Sequence, residues 1–89
     1  MGRYSVTIKP SAAKELESIP KKTIRQMVSR IHGLAEDPRP HGVEKLSGEE
    51  RYRLRQGDYR VVYSIDDEMG VIDVVKVGHR REVYRSVRE

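Results

Sequence analysis

The sequence predicts a single α+β domain in which a helical hairpin lies on one side of a twisted sheet. Three observations carry this prediction: an alternating strand pattern near the N-terminus, two consecutive segments with helical spacing, and three closely spaced strand patterns in the second half. A chain of 89 residues has room for one compact domain, spanning 1–89. The predicted order of elements is β-α-α-β-β-β-α.

The first half of the chain predicts one strand and two helices. Tyr4–Lys9 alternates apolar and polar side chains, which is typical of a half-buried strand. Pro10-Ser11 then offers the start of a short helix with Ser11 as its N-cap, and Pro20 ends that helix. The second helix runs from about Lys21 to Glu36. Its apolar stripe consists of Ile24, Met27, Val28, Ile31 and Leu34.

The second half predicts a loop and a three-stranded meander. The segment Arg39–Gly48 contains proline and glycine at several positions, which favours a loop. Strands follow at Arg51–Gln56, Tyr59–Ile65 and Val71–Val77, and the turn residues between them predict antiparallel pairing. The third strand is valine-rich on both faces, as a central strand would be. The charged tail His79–Val87 predicts a short C-terminal helix.

Composition excludes several classes of protein. The chain has no cysteine, which excludes disulfides, thiolate zinc sites and cysteine nucleophiles. No apolar run is long enough for a membrane span, and the N-terminus lacks a secretory pattern. We therefore expect a cytoplasmic protein that does not enter a membrane.

The cations of this chain are biased toward arginine. Lys and Arg total 18 against 14 acids, the formal net charge is +4, and twelve of the 18 cations are arginine. The planar guanidinium binds phosphate through two parallel hydrogen bonds and stacks on bases. Composition alone leaves open both nucleic-acid binding and a general preference for arginine over lysine.

One predicted strand concentrates arginine on a single face. Because strand side chains alternate, Tyr52 and Leu54 point into the core. The opposite face carries Arg51, Arg53 and Arg55. Arg60 joins this row if the turn register places it on the same face. Like charges on one face repel each other, and no acid interleaves on this strand, so the row favours phosphate binding over a solvated outer face.

A second candidate segment leaves the end of the last strand. Within eight residues it holds an imidazole, a phenol and three guanidiniums: His79, Tyr84, Arg80, Arg81 and Arg85. A histidine titrates near neutral pH and can serve as an acid or a base. An exposed histidine is equally compatible with a solvated surface position, so both readings stay open.

Metal binding is not expected. His32 lies in the second predicted helix, and His41 lies in the loop without an acid–base partner nearby. Asp66, Asp67 and Glu68 have the positions of turn residues. Because a metal site needs about three convergent ligands, the sequence predicts neither a metal nor another cofactor.

Two blocks of this sequence resemble the RelE branch of the RelE/ParE toxin superfamily. The first runs from Tyr52 to Tyr63 (YRLRQGDYRVVY) and the second from Val77 to Tyr84 (VGHRREVY). The opening strand, the helical hairpin and the break at Asp37 also fit, so the resemblance spans nearly the whole chain. It implies a type II toxin that inhibits translation as a ribosome-dependent messenger RNA endonuclease (mRNA interferase). Such toxins cut the A-site codon by metal-independent attack of a 2′-OH on the adjacent phosphate.

The resemblance also implies roles for individual residues. Arg60 would contact the scissile phosphate and help to activate the 2′-OH. Arg80 would stabilise the transition-state charge and assist the leaving 5′-oxygen, and Tyr84 would stack on or orient the target nucleotide. Arg53 and Arg55 stand where relatives often carry lysine. His79 stands where another basic residue is common. Further phosphate contacts are expected from Arg51, Arg81 and Arg85.

The general base is left open among several groups. Arginine stays protonated to a pKa above about 12, so Arg53 and Arg55 cannot readily replace a lysine base. We hypothesise His79, because an imidazole with an ordinary pKa of about 6.5 suits proton transfer. The alternatives are Tyr84, or a mechanism that rests mainly on electrostatic stabilisation.

Partners and rival functions follow from the same resemblance. It implies a cognate RelB-like antitoxin that covers or displaces Arg80–Tyr84. It also implies messenger RNA in the A site of the 70S ribosome with 16S ribosomal RNA contacts, and operator DNA bound through the antitoxin. One rival is a ParE-like inhibitor of DNA gyrase with the same fold. The combination of Arg60, Arg80 and Tyr84 argues against that branch. The other rival is a non-catalytic module that binds only antitoxin or RNA.

Overall fold

The computed structural model describes residues 4–46 and 50–79, which form a five-stranded sheet with two helices. The elements are β1 (Ser5–Ile8), α1 (Pro10–Leu16), α2 (Lys21–Gly33), β2 (Glu44–Lys45), β3 (Arg51–Gln56), β4 (Tyr59–Asp66) and β5 (Val71–His79). The strand order is β1-β5-β4-β3-β2. β1 pairs in parallel with β5, and the other pairs are antiparallel. The predicted α+β class, helical hairpin and three-stranded meander are confirmed.

The two helices cover one face of the sheet and close the core. α1 packs on β5 and α2 packs on β3. Met27, Ile31 and Leu34 of the predicted apolar stripe are buried, as are Tyr52 and Leu54 of the alternating strand. The rest of the core cluster is Ala12, Ile19, Val61, Tyr63, Ile65, Ile72, Val74 and Val77. Removing a large apolar side chain from water contributes about 1.5–3 kcal/mol, so this face stabilises the domain.

β2 lies inside the segment Arg39–Gly48, where the sequence predicts only a loop. Glu44 pairs with Arg53 and Lys45 with Tyr52, so β2 covers the outer edge of β3. A two-residue strand has no measurable side-chain period, and its backbone hydrogen bonds come from a partner strand that local sequence cannot reveal. That prediction is wrong at these two residues.

Both helices differ slightly from their predicted bounds. α1 begins at Pro10 with Lys9 at the N-cap and no side-chain cap, so the assignment of Ser11 as N-cap is wrong. Proline fits the first helical position because its fixed φ matches the helix and its missing N–H is not needed there. α2 ends at Gly33 because the amides of Leu34 and Ala35 bond three residues back, to the carbonyls of Ile31 and His32.

The last strand is longer than predicted. β5 continues to His79, which pairs with Tyr59, so His79 ends a strand and does not begin a helix. The remainder of the predicted C-terminal helix, 80–87, lies outside the described residues. Within the described ranges, neither helix has the length and apolarity that a membrane crossing requires.

A polar cluster fastens the loop after α2 to the far end of the sheet. The Arg39 guanidinium donates from Nη2 to Asp67 Oδ2 (2.9 Å) and from Nε to the Tyr52 hydroxyl (3.0 Å). It also lies 5.3 Å from the centroid of the Tyr52 ring. The Tyr4 hydroxyl donates to the other Asp67 oxygen at 2.7 Å. These hydrogen bonds, from Arg39 first and then from Tyr4, hold the pKa of Asp67 below its ordinary value.

We predict that Asp67→Asn removes an acid-sensitive part of the folding stability. The native pKa of Asp67 is below its ordinary value of 3.8, so its contribution is present at neutral pH. That contribution is lost as the pH falls below about 3.8 and through the native pKa. Urea unfolding of the variant and of the wild type should therefore differ at pH 7, and the difference should shrink as the pH falls below about 3.8. Glu68→Gln, in the same turn, is the matched control. A difference that persists unchanged at pH 3 would contradict the assignment.

Candidate nucleic-acid interface

The strand register gathers the predicted arginines on the face of the sheet opposite the helices. Arg55 lies directly opposite Arg60 across the hairpin, and Arg60 lies opposite Gly78 of β5. Directly opposed residues project from the same face of a sheet, and Arg53 and Arg51 share the face of Arg55 by alternation. We call Arg51, Arg53, Arg55 and Arg60 the arginine face. The turn register thus places Arg60 on the same face as the other three arginines, which the sequence alone left open.

Arg60 is held rigidly within this face. Its side chain is 95% buried, since only 5% of the residue is exposed. Nη1 donates to the carbonyl oxygens of Gly57 (2.9 Å) and Tyr59 (3.0 Å), which belong to the turn that precedes it. Its Nε is buried without a hydrogen-bond partner among the described residues. An unsatisfied buried donor costs about 1–3 kcal/mol, so an acceptor oxygen brought to Nε by a ligand would recover that loss.

An acid faces one of these arginines, contrary to the expectation of a row without one. Glu44 lies opposite Arg53 in the register and forms an ion pair with it. The hydrogen bond and the charge of Arg53 lower the pKa of Glu44, and the charges of Arg55 and Arg60 lower it further. The sequence could not reveal this acid because Glu44 belongs to the unpredicted β2. The four arginines of the face nevertheless lie on two neighbouring strands, β3 and β4.

His79 lies on the other face of the sheet from Arg60. It pairs with Tyr59, and their rings meet edge to face with centroids 5.8 Å apart. The reason is an irregularity in the pairing of β4 with β5: Val62 faces Lys76, but Tyr63 faces Val74. This bulge places one extra residue in β5 and reverses the alternation beyond it. Strict alternation from Val74 would have put His79 on the arginine face.

The His79 side chain lines a cavity of about 410 Å³ at the end of the helix-covered face. The cavity is also lined by Glu15, Ser18, Ile19, Tyr59, Val77 and Gly78. The structure therefore brings Arg53, Arg55 and Arg60 together and separates His79 from them. The other proposed site residues, Arg80, Arg81, Tyr84 and Arg85, lie outside the described residues. No cluster of three or more metal-ligating side chains occurs in 4–46 or 50–79.

Glu15 is a positioning residue that sequence reasoning missed. β1 pairs with β5 only as far as Val74, and beyond it no strand of the described residues pairs with that edge of β5. Glu15 of α1 occupies this edge: Oε1 accepts from the Val77 amide at 2.9 Å, and Oε2 binds the Lys76 ammonium. The carboxylate thus holds the strand immediately before Gly78. The only local signal was an acidic residue beside the apolar stripe of a short helix.

We predict that Glu15→Ala loosens the end of β5. The change leaves the Val77 amide without its acceptor and Lys76 without its counter-ion, at a cost of about 1–3 kcal/mol. Hydrogen exchange of the Val77 amide should accelerate, whereas amides in the β3–β4 hairpin should exchange at unchanged rates. Glu17→Ala, on the exposed side of the same helical segment, serves as the control. Equal protection of Val77 in both variants would show that Glu15 does not hold the strand.

Comparisons with known proteins agree with this architecture. Residues 6–84 match the model of a family described as the ParE toxin of the type II toxin–antitoxin system parDE. The toxin RelE of Mycobacterium tuberculosis is 33% identical over 84 residues, covering 92% of this chain and 87% of that protein.

Two solved structures are similar over most of their length. A chain of the archaeal RelE–RelB complex from Pyrococcus horikoshii has a TM-score of 0.76 at 32% identity and covers 88% of this chain and 96% of that one. A mutant of the E. coli toxin RelE in the free state has a TM-score of 0.78 at 31% identity, with 96% and 93% covered. The chain therefore belongs to the RelE/ParE superfamily of type II toxin–antitoxin toxins, and within it is a RelE-type toxin.

Proposed function

We propose that this RelE-type toxin is a ribosome-dependent endonuclease that cleaves messenger RNA in the A site. The observation that supports this function best is the state of Arg60: a buried guanidinium fixed by its own turn, with Nε unpaired among the described residues and two further arginines beside it. A donor that is already fixed needs no reorganisation when charge develops on a phosphate, which is the property that lowers a barrier.

The proposed reaction is an in-line transesterification. The 2′-oxygen attacks the adjacent phosphorus, the bond from phosphorus to the 5′-oxygen breaks, and a 2′,3′-cyclic phosphate forms. The proton of the 2′-OH passes to a base, and the leaving 5′-oxygen takes up a proton. Negative charge accumulates on the non-bridging oxygens, and the guanidiniums of Arg60 and Arg80 stabilise it without calling on a metal. Tyr84 orients the target nucleotide.

The base and the phosphate contacts complete this proposal. His79 is the proposed base, although the register puts its side chain on the other face of the sheet from Arg60. The imidazole must therefore reach around the end of β5 to the 2′-OH beside the phosphate that Arg60 contacts. Arg51, Arg53, Arg55, Arg81 and Arg85 are the proposed phosphate contacts. Arg53 forms an ion pair with Glu44 in the free protein. This ion pair must break before the Arg53 guanidinium can bind a phosphate oxygen.

A RelB-type antitoxin is the proposed physiological partner. The P. horikoshii relative was solved as a RelE–RelB complex. An antitoxin that covers Arg80–Tyr84 would block the same segment that RNA requires. We further propose that the complex binds operator DNA through the antitoxin, and that the toxin acts in the cytoplasm.

The second candidate function is inhibition of DNA gyrase. It is favoured by the family model that matches residues 6–84, which is described as a ParE toxin. A gyrase inhibitor does not need phosphate-directed donors on the arginine face, so substitution of Arg60 separates the two functions. A supercoiling assay with purified gyrase tests the second candidate directly.

We predict that Arg60→Ala and Arg80→Ala each lower the rate of A-site cleavage by about 10²–10³, because each removes a fixed donor to the developing charge. Primer extension on programmed ribosomes maps the cuts and measures their rate. Lys14→Ala, which removes an exposed cation on α1, is the control and should cut like the wild type. Cuts that persist in both arginine variants, or their absence with the wild type, would contradict the nuclease function.

We predict that His79→Gln lowers the rate of cleavage and changes its dependence on pH. The proposed base accepts the proton of the 2′-OH, and a side-chain amide in its place cannot. Single-turnover cleavage at several pH values gives the profile. An unchanged rate and profile in the variant would leave Tyr84 or electrostatic stabilisation as the explanation.

A further inference from the structure

α2 presents a solvent-facing surface that carries positive charge only. Lys21–Gly33 contains four Lys or Arg residues and no acid. Lys21, Lys22, Arg25 and Arg30 are all exposed, and the remaining exposed positions are small, polar or histidine. Since an α-helix rises about 1.5 Å per residue, this surface is about 20 Å long. We call it the α2 basic face.

Two of these lysines carry a charge that interacts unfavourably with the dipole of the helix to which they belong. Lys21 and Lys22 stand in the first turn, where the helix dipole is positive, and no acid in that turn offsets them. Pro20 at the N-cap makes no side-chain cap either. The stability of α2 would favour acidic residues at both positions, so the lysines are not explained by folding.

The α2 basic face lies on the helix-covered side of the sheet, and one of its arginines reaches the end of β3. Arg30 donates from Nη1 to the carbonyl oxygen of Arg55 and to Gln56 Oε1 (3.4 Å), and Gln56 donates to Gln26 Oε1 at 3.1 Å. These bonds join the C-terminal half of α2 to the end of β3. A groove of about 440 Å³ lies between α2 and the end of β3, lined by Arg25, Gln26, Ser29, Arg30 and Gln56. This lining includes two guanidiniums and no carboxylate.

We propose that the α2 basic face binds the phosphate backbone of structured RNA, on the side of the domain opposite the arginine face. A protein interface depends on buried apolar or aromatic anchors. The exposed large apolar side chains of the described residues, Ile8 and Met69, both lie outside α2. A phosphate backbone requires no apolar anchor and takes its affinity from cations. The charge and the polar surface together select RNA over a protein partner.

This inference rests on the proposed function, because a toxin that cleaves messenger RNA in the A site would meet ribosomal RNA there. The RNA bound by the α2 basic face would be that ribosomal RNA. The chemistry stays with the arginine face, so the α2 basic face should change affinity and its dependence on salt. It should not change the cleavage rate at saturation. These two readouts separate the two proposals.

The test is the double charge reversal Lys21→Glu/Lys22→Glu. Binding is measured on 70S ribosomes programmed with a messenger RNA that carries a 2′-O-methyl group at the A-site cut, in a series of KCl concentrations at constant Mg²⁺. We expect Kd to rise by about tenfold, and the slope of log Kd against log[KCl] to fall by about 1.5–2, as for two lost phosphate contacts. Tm should rise by about 2–5 °C, because the new acids suit the helix dipole.

Opposite changes in stability and affinity would exclude misfolding as the cause of weaker binding. The control is Lys14→Glu/Lys45→Glu, which changes the net charge equally on other elements and should keep the wild-type salt dependence. Cleavage of unmodified messenger RNA at saturating toxin should be equal in all three proteins. If the wild type binds with an α2-dependent salt slope yet cuts nothing, the nuclease proposal fails and this one stands.

Three results would overturn the inference. The first is a Kd and a salt slope equal to those of the wild type. The second is an equal loss of affinity in the control, which would assign the effect to net charge alone. The third is normal ribosome binding combined with weakened binding of a RelB-type antitoxin, which would make the α2 basic face a protein interface.

Discussion

The register in which β4 pairs with β3 and β5 is the constraint on which the rest of this structure depends. It puts Val61, Tyr63 and Ile65 into the core and Arg60 on the opposite face beside Arg55. Because side chains alternate, a slip of one residue would bury the arginine among the helices and expose the apolar set. The large free energy of burying Tyr63 and its neighbours therefore also holds the arginine face together, although its charges repel.

β5 is held in this register by strand pairing near its start and by a charged side chain near its end. At its start the strand is held by β1, and past Val74 the edge is held by the Glu15 carboxylate. The bulge opposite Val62 and Tyr63 turns Val77 and His79 toward the helices and leaves Gly78 beside Arg60.

Several local features are unfavourable for folding and concentrate where RNA contacts are proposed. Arg60 buries an Nε that has no partner among the described residues, the arginine face holds like charges in register, and Lys21 and Lys22 oppose the dipole of α2. Departures from local consistency are expected where a surface serves a ligand. Elsewhere the described residues follow the ordinary rules: the polar cluster around Asp67 pairs its charges, and Tyr63 donates to the Pro38 carbonyl at 2.8 Å with its pKa raised by burial to about 12.

Local sequence determined most of the elements and the face that Arg51, Arg53 and Arg55 share. The alternation of Tyr52 and Leu54 with arginine, and the helical spacing of Met27, Ile31 and Leu34, depend only on backbone period, so they were predictable. Tertiary structure alone decided the pairing of Glu44 with Arg53, the hold of Glu15 on Val77, and the face of His79. Each depends on which strand or helix lies alongside, or on one extra residue in a pairing register. No local period encodes these relations between distant segments.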